Sequence, residues 1–265
     1  MERLMVLRLQ ARGCVAEAWL NGWPLARVGP DEPPVTVPVH EYAQGGPNRL
    51  ELVVEPDAPP PAPGAEPVAA THDRAARMAL LLPRVGAVID EQSVRTLGTA
   101  EWGRPAGETV TLPARDTSEV DLPVRFPRWR WLDAPVLEPT PALQRQALAF
   151  VQGLAADLAR GQTESFLTAT RLRTEELALA YQRTPQDETT RLRAALEAAH
   201  AAGRLVWPPL KAEGFALVPR AGGRLLECRG EGGVPALQTV PDREGQVLAL
   251  PLRLSFVEGR FYVLR

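Results

Sequence analysis

Through the first half of the chain, apolar residues recur at every second position. Leu4 to Leu9 alternates with polar residues, and Val15 to Leu20, Val35 to Tyr42 and Leu50 to Glu55 follow, with turn residues between them. A period of two puts successive side chains on opposite faces and predicts half-buried strands. Asn21-Gly22, between Trp19-Leu20 and Trp23 to Leu25, predicts a two-residue hairpin turn because both residues accept positive φ. Met78 to Val85, Ser93 to Thr99, Thr109 to Leu112 and Val120 to Phe126 extend the series. About eight short strands predict an all-β sandwich domain over residues 1–127. The proline-rich passage 56–67, PDAPPPAPGAEP, is too polar and rigid for a strand and is expected to be an extended surface loop within that domain.

At Phe126 the pattern changes. Residues 128–139 interleave Trp129 and Trp131 with arginines and prolines, and are expected to form a connector whose tryptophans fill an interdomain seam. From Thr140 the period becomes helical. Thr140 and Pro141 fit an N-cap and first helical position, with Leu143, Ala147, Phe150, Val151, Leu154 and Leu158 on one face and Gly161 as the stop. A second helical stretch starts at Thr163, contains Phe166, Leu167, Leu177 and Tyr181, and leaves room for a bend. A third opens at Thr184-Pro185 with Asp187 in its first turn, turns Leu192, Ala195, Leu196 and Ala199 inward, and ends at Gly203. Period two then returns at Phe215 to Val218, Arg224 to Arg229, Ala236 to Val240, Val247 to Phe256 and Arg260 to Leu264. Three helices followed by a curved antiparallel sheet predict an α+β domain over 140–265, and hence a two-domain chain.

A length of 265 residues accommodates two cores, and 45% hydrophobic with 23% charged residues is an ordinary globular balance. Residues 1–139 carry a net charge of −5 and residues 140–265 a net +3. Neither half has the basic excess of a nucleic-acid binder. Lys211 is the single lysine among the 30 basic residues. No apolar run suggests a membrane span or a secretory signal, and Cys14 and Cys228 sit in apolar strand-like contexts that suit buried free thiols. These features give a cytoplasmic expectation, with no nucleic acid or membrane partner.

The stretch WLNGWPL, followed by VTVPVHEY and GGPNRLELVV, resembles the jelly-roll sandwiches, galactose-binding-like, that accompany some glycoside hydrolases and bind sugars. In that resemblance the Asn-Gly hairpin, Gly46 and Asn48 are framework. It implies a carbohydrate-binding role only if Trp19, Trp23 or Trp102 faces solvent as a stacking platform. The order of helices and then strands from Thr140 to Arg265 resembles the NTF2-like superfamily, which curls a sheet around helices to leave a cone-shaped pocket. That family includes enzymes, small-molecule binders and non-catalytic dimerisation domains.

Candidate chemistry is sparse. His200, near the end of the third helix, is the one catalytic candidate, and a general base there needs a carboxylate partner and a pocket. Tyr181, Trp207, Phe215 and Arg229 are the residues expected around a cone mouth, where aromatic walls and one cation suit a small amphiphilic or anionic ligand. His40-Glu41 and His72-Asp73 are adjacent pairs that point apart, so neither a metal nor a cofactor is expected. Glu175-Glu176 and Asp187-Glu188 read as solvated carboxylates. The leading expectation is a non-catalytic binding or protein-interaction protein that dimerises through its C-terminal sheet and takes a small-molecule or protein partner. The alternatives are an enzyme or small-molecule carrier using the C-terminal cone, and a carbohydrate-binding module in the N-terminal sandwich.

Overall fold

A computed structural model describes residues 4–30, 32–56, 73–83, 94–122 and 126–265. Residues 57–67 of the proline-rich passage, and His72, lie outside the described residues. Among the described residues the fold is mixed, with three antiparallel four-stranded sheets and four helices. The chain divides into two compact units, Met1–Pro127 and Arg128–Arg265.

The first unit holds strands β1 (Val6–Arg12), β2 (Val15–Leu20), β3 (Trp23–Val28), β4 (Val35–Pro38), β5 (Gly46–Glu55), β6 (Arg74–Leu82), β7 (Arg95–Arg104) and β8 (Ala114–Leu122). One sheet runs β4-β1-β6-β7 and the other β3-β2-β5-β8. Inward residues of both sheets, among them Leu7, Leu9, Ala18, Leu50, Leu52, Met78 and Leu80, form one buried core. Alternation along β1 and β2 was sufficient to mark this face. Three expected strands differ. Val35 to Tyr42 stops at Pro38 and becomes a 3-10 turn at His40–Tyr42. Thr109 to Leu112 forms no ladder among the described residues, although Val110 and Leu112 pack on the core. The last strand begins earlier, at Ala114, and is described to Leu122; residues 123–125 of the expected strand lie outside the described residues.

Edge strand β7 is protected from further pairing by its neighbour in the opposite sheet. The Ser118 hydroxyl donates to the Thr99 carbonyl at 2.7 Å, and the Asp116 carboxylate accepts from the Glu101 N–H at 3.1 Å. Gly98 permits this approach, because a Cβ there would lie 3.1 Å from the Val120 Cβ and 3.2 Å from a Leu50 methyl.

The Asn21-Gly22 turn has positive φ at both residues, 52° and 79°, and joins β2 to β3. Its Asn21 amide donates to the Tyr42 carbonyl and to Asn48 Oδ1, and accepts from the Arg49 N–H, all at 2.8–2.9 Å. Asn48 is 2% exposed, and its amide also donates to the Gln44 and Gly46 carbonyls and accepts from the Gln44 N–H. Two side chains thus tie a hairpin turn to the start of β5 with every amide group used.

In the second unit, α1 (Pro141–Ala159), α2 (Glu164–Ala169), α3 (Arg171–Ala180) and α4 (Pro185–Ala201) precede β9 (Ala216–Arg220), β10 (Leu225–Arg229), β11 (Arg253–Val257) and β12 (Arg260–Val263). The sheet order is β12-β11-β10-β9. Thr140 and Thr184 cap α1 and α4 by accepting from Leu143 N and Asp187 N, with a proline at each first position. The second expected helix is two, broken at Thr170, whose hydroxyl instead donates back to the Phe166 carbonyl at 2.8 Å. Ala236 to Val240 makes no strand. Gln238 bridges Ala249, Leu250 N donates to Leu237 O, and the Thr239 hydroxyl takes the Leu248 N–H. Pro235, Pro241 and Pro251 lack the N–H groups a longer ladder needs.

Replacing Asn48 by alanine strands the Gln44 N–H and two carbonyls in a buried site. Asn48→Ala is expected to lower unfolding free energy by about 3 kcal/mol in urea titration.

Candidate functional site

The space between helices and sheet in the second unit is occupied by side chains. Leu143, Ala147, Val151, Leu154 and Leu158 of α1 meet Phe166 and Leu167 of α2, Leu196 and Ala199 of α4, and Leu217, Leu226, Cys228, Leu254 and Val263 of the strands in one continuous core. Phe215, 2% exposed, is part of this core, and Trp207 packs against its margin. Burial raises the Cys228 thiol well above its ordinary range, with the Glu227 charge adding to the shift, so it stays protonated.

Arg229 stands apart from those aromatic residues. Along β10, Leu226 and Cys228 face the helices, so Glu227 and Arg229 face the other way. There the sequence places a cluster that its periodicity does not reveal. Glu227, 3% exposed, accepts from Arg220 Nε at 2.7 Å and Arg229 Nη2 at 2.8 Å, and Arg253 Nε lies 3.4 Å away. Arg229 also donates to the Gly233 carbonyl at 2.7 Å. Burial alone pushes the Glu227 carboxyl up. The charge of Arg253, with the hydrogen bonds from Arg220 and Arg229, outweighs it and holds the group below the usual carboxylate range. The cross-strand register that pairs Glu227 with Arg253 and Val218 is what assembles the set.

A second buried carboxylate corrects the reading of Glu175-Glu176 as solvated. Glu176 is 3% exposed, accepts from Arg265 Nη1 at 2.5 Å and caps the Arg130 N–H at 2.6 Å. Arg265 is 1% exposed, and its guanidinium lies 5.5 Å from the centre of the Trp129 ring. Trp129 and Trp131 are both buried, and Arg130 reaches Glu175 at 2.9 Å. Periodicity could not identify this contact, because Glu176 and Arg265 are 89 positions apart.

His200 lies on the exposed side of α4, with its ring over Gly161; a Cβ on Gly161 would sit 2.7 Å from the imidazole. Tyr181 is half-buried just after α3. These two, Phe215 and Arg229 therefore belong to four different settings. In the first unit Trp23 is fully buried beside Tyr42, Trp102 is 9% exposed within the core, and half-buried Trp19 donates to Glu17 at 2.8 Å. His40 is buried and its Nε2 accepts from the Met5 N–H at 2.7 Å, which leaves that nitrogen no role as a metal ligand. Among the described residues no group of three His, Cys, Asp or Glu side chains is placed to hold a metal ion, and no helix is long and apolar enough to cross a membrane.

Two of the surface grooves among the described residues of the second unit are broad. One, of about 980 Å³, runs past Arg204, Val206, Val240, Arg243 and Val247. The other, of about 740 Å³, lies between Ala149, Gly153 and Asp157 of α1, the α2–α3 segment, and Phe261 and Tyr262 of β12. Gly153 sits in mid-helix at a cost of about 1 kcal/mol relative to alanine. Nothing lies within 4 Å of where its Cβ would be. No known protein family, curated protein or solved structure matches this chain.

Neutralising Glu227 leaves three guanidinium groups around a site with no countercharge. Glu227→Gln is expected to cost about 3 kcal/mol at pH 7. Because the folded carboxyl is held low, its contribution is complete above about pH 5 and is lost as pH falls through the folded value. Urea unfolding at neutral and acidic pH checks this: the wild type loses stability on acidification, and the variant loses measurably less.

Proposed function

We propose that the protein is a non-catalytic binding or interaction protein of the cytoplasm, in which a β-sandwich accompanies an NTF2-like α+β domain. The observation that carries this reading is the filled interior between helices and sheet. There Phe215, Leu226 and Phe166 pack into one continuous core, where a catalytic reading of an NTF2-like domain expects a substrate cavity. The buried carboxylates Glu176 and Glu227 are each engaged by arginine, which suits fixed ion pairs better than proton transfer. His200 has an exposed position and makes no ion pair with a carboxylate among the described residues. Two buried free cysteines support a reducing compartment. For the first unit, burial of Trp23 and Trp102 favours packing over sugar stacking.

The test is turnover of generic ester, epoxide and ketosteroid substrates by the purified full chain and by His200→Ala. The expected result is no rate above buffer for either protein. A rate that disappears in His200→Ala would overturn the reading.

A further inference from the structure

Helix α1 carries Arg145, Ala149, Gly153 and Asp157 at intervals of four, a spacing that places them on one face. Arg145, Ala149 and Gly153 are exposed, and Asp157 is half-buried. Exposed neighbours Gln146, Gln152 and Ala156 add no charge between the two ends. No described residue accounts for the glycine, since none lies within 4 Å of where its Cβ would be. Arg145 has no carboxylate partner among the described residues. Asp157 gives one oxygen to Arg160 at 2.6 Å, and its other oxygen has no partner there. The groove of about 740 Å³ runs along this face, with Phe150, Leu172 and Phe261 in its walls beside Glu164 and Arg171, whose charges are already paired with Arg193 and Glu175.

We propose that this face is a two-fold interface in which α1 packs antiparallel against α1 of a second copy. A two-fold contact must be self-complementary, because the same patch serves both partners. The stripe meets that condition in one arrangement. Centred on position 151, antiparallel pairing sets Arg145 against the partner's Asp157 and Ala149 against the partner's Gly153, and the symmetry repeats each contact. Small residues at the centre allow the helix axes to approach to about 8 Å. The partner helix then seats against the groove walls. A parallel arrangement would instead set Arg145 on its own copy, like charge on like, so the charge order selects the antiparallel one. The sheet face of Arg220, Glu227, Arg229 and Arg253 is the poorer candidate, because stacking it on itself would bring three guanidinium groups from each copy together.

The experiment is light-scattering mass determination of the full chain over about a hundredfold range of concentration. The expected wild-type mass at high concentration is twice the 28.9 kDa of one chain. Gly153→Leu is expected to give the single-chain mass with an unchanged or higher thermal midpoint, because leucine meets open space and favours a helix. Arg145→Asp should raise the dimer dissociation constant by at least about tenfold, and adding Asp157→Arg should recover most of the loss. A wild type that stays single-chain throughout would overturn the inference, as would a dimer indifferent to both Gly153→Leu and Arg145→Asp. Mass is read independently of turnover, so this result leaves the binding role to its own test.

Discussion

A carboxylate removed from water must find a countercharge, and this requirement organises the second unit. Glu176 and Glu227 are each nearly inaccessible, and each collects its partners from distant parts of the sequence. Glu176 draws together α3, the Trp129–Arg130 segment and Arg265. Glu227 draws together three strands of one sheet through Arg220, Arg229 and Arg253. Such pairs add little net stability over an apolar core of the same shape, yet removing one partner is severe. Their effect here is to exclude other arrangements: a slipped register of β10 would bury the same charge without its arginines.

The arginine-rich composition acquires a physical meaning in this setting. A guanidinium presents several donors in a fixed plane, so Arg229 engages Glu227 and the Gly233 carbonyl at once, and Arg265 engages Glu176 while lying against Trp129. Lysine offers neither the geometry nor the stacking. The buried polar groups described above hold the protein's own segments together, whereas its surface grooves mix valines, phenylalanines and small residues with charged side chains such as Arg204, Arg243, Glu164 and Arg171.

What could be read from sequence was what local chemistry determines. Asn21-Gly22 declared its turn because no other common pair tolerates two positive φ values so readily, and Thr140 and Thr184 declared their helices through the following proline. Thr109 to Leu112 shared the apolar content of a strand but not its pairing, since Val110 and Leu112 are anchored by packing alone. Ala236 to Val240 failed as a strand because proline spacing, visible in the sequence, outweighed its alternation. The ion clusters were out of reach for a different reason. Nothing local distinguishes buried Glu176 from half-buried Glu175, and only the path of the chain brings Arg265 to it. The residues expected around one pocket were not brought together, because β10 turns Arg229 away from the core that holds Phe215 and borders Trp207.

The strand order of the first unit has one more property. Adding four to each strand number of β4-β1-β6-β7, and counting past eight from one again, gives β8-β5-β2-β3, the second sheet read backwards. The two halves of this unit, β1–β4 and β5–β8, therefore make equivalent pairings, and they are joined at the centre by β1 with β6 and β2 with β5. Neither half can complete a sheet alone. Both central ladders join residues far apart in sequence, so the entropy of closing those loops must be met before either sheet has its middle. Assembly of this unit is consequently governed by topology, on the millisecond-to-second scale of sandwiches and not the microsecond scale of helices.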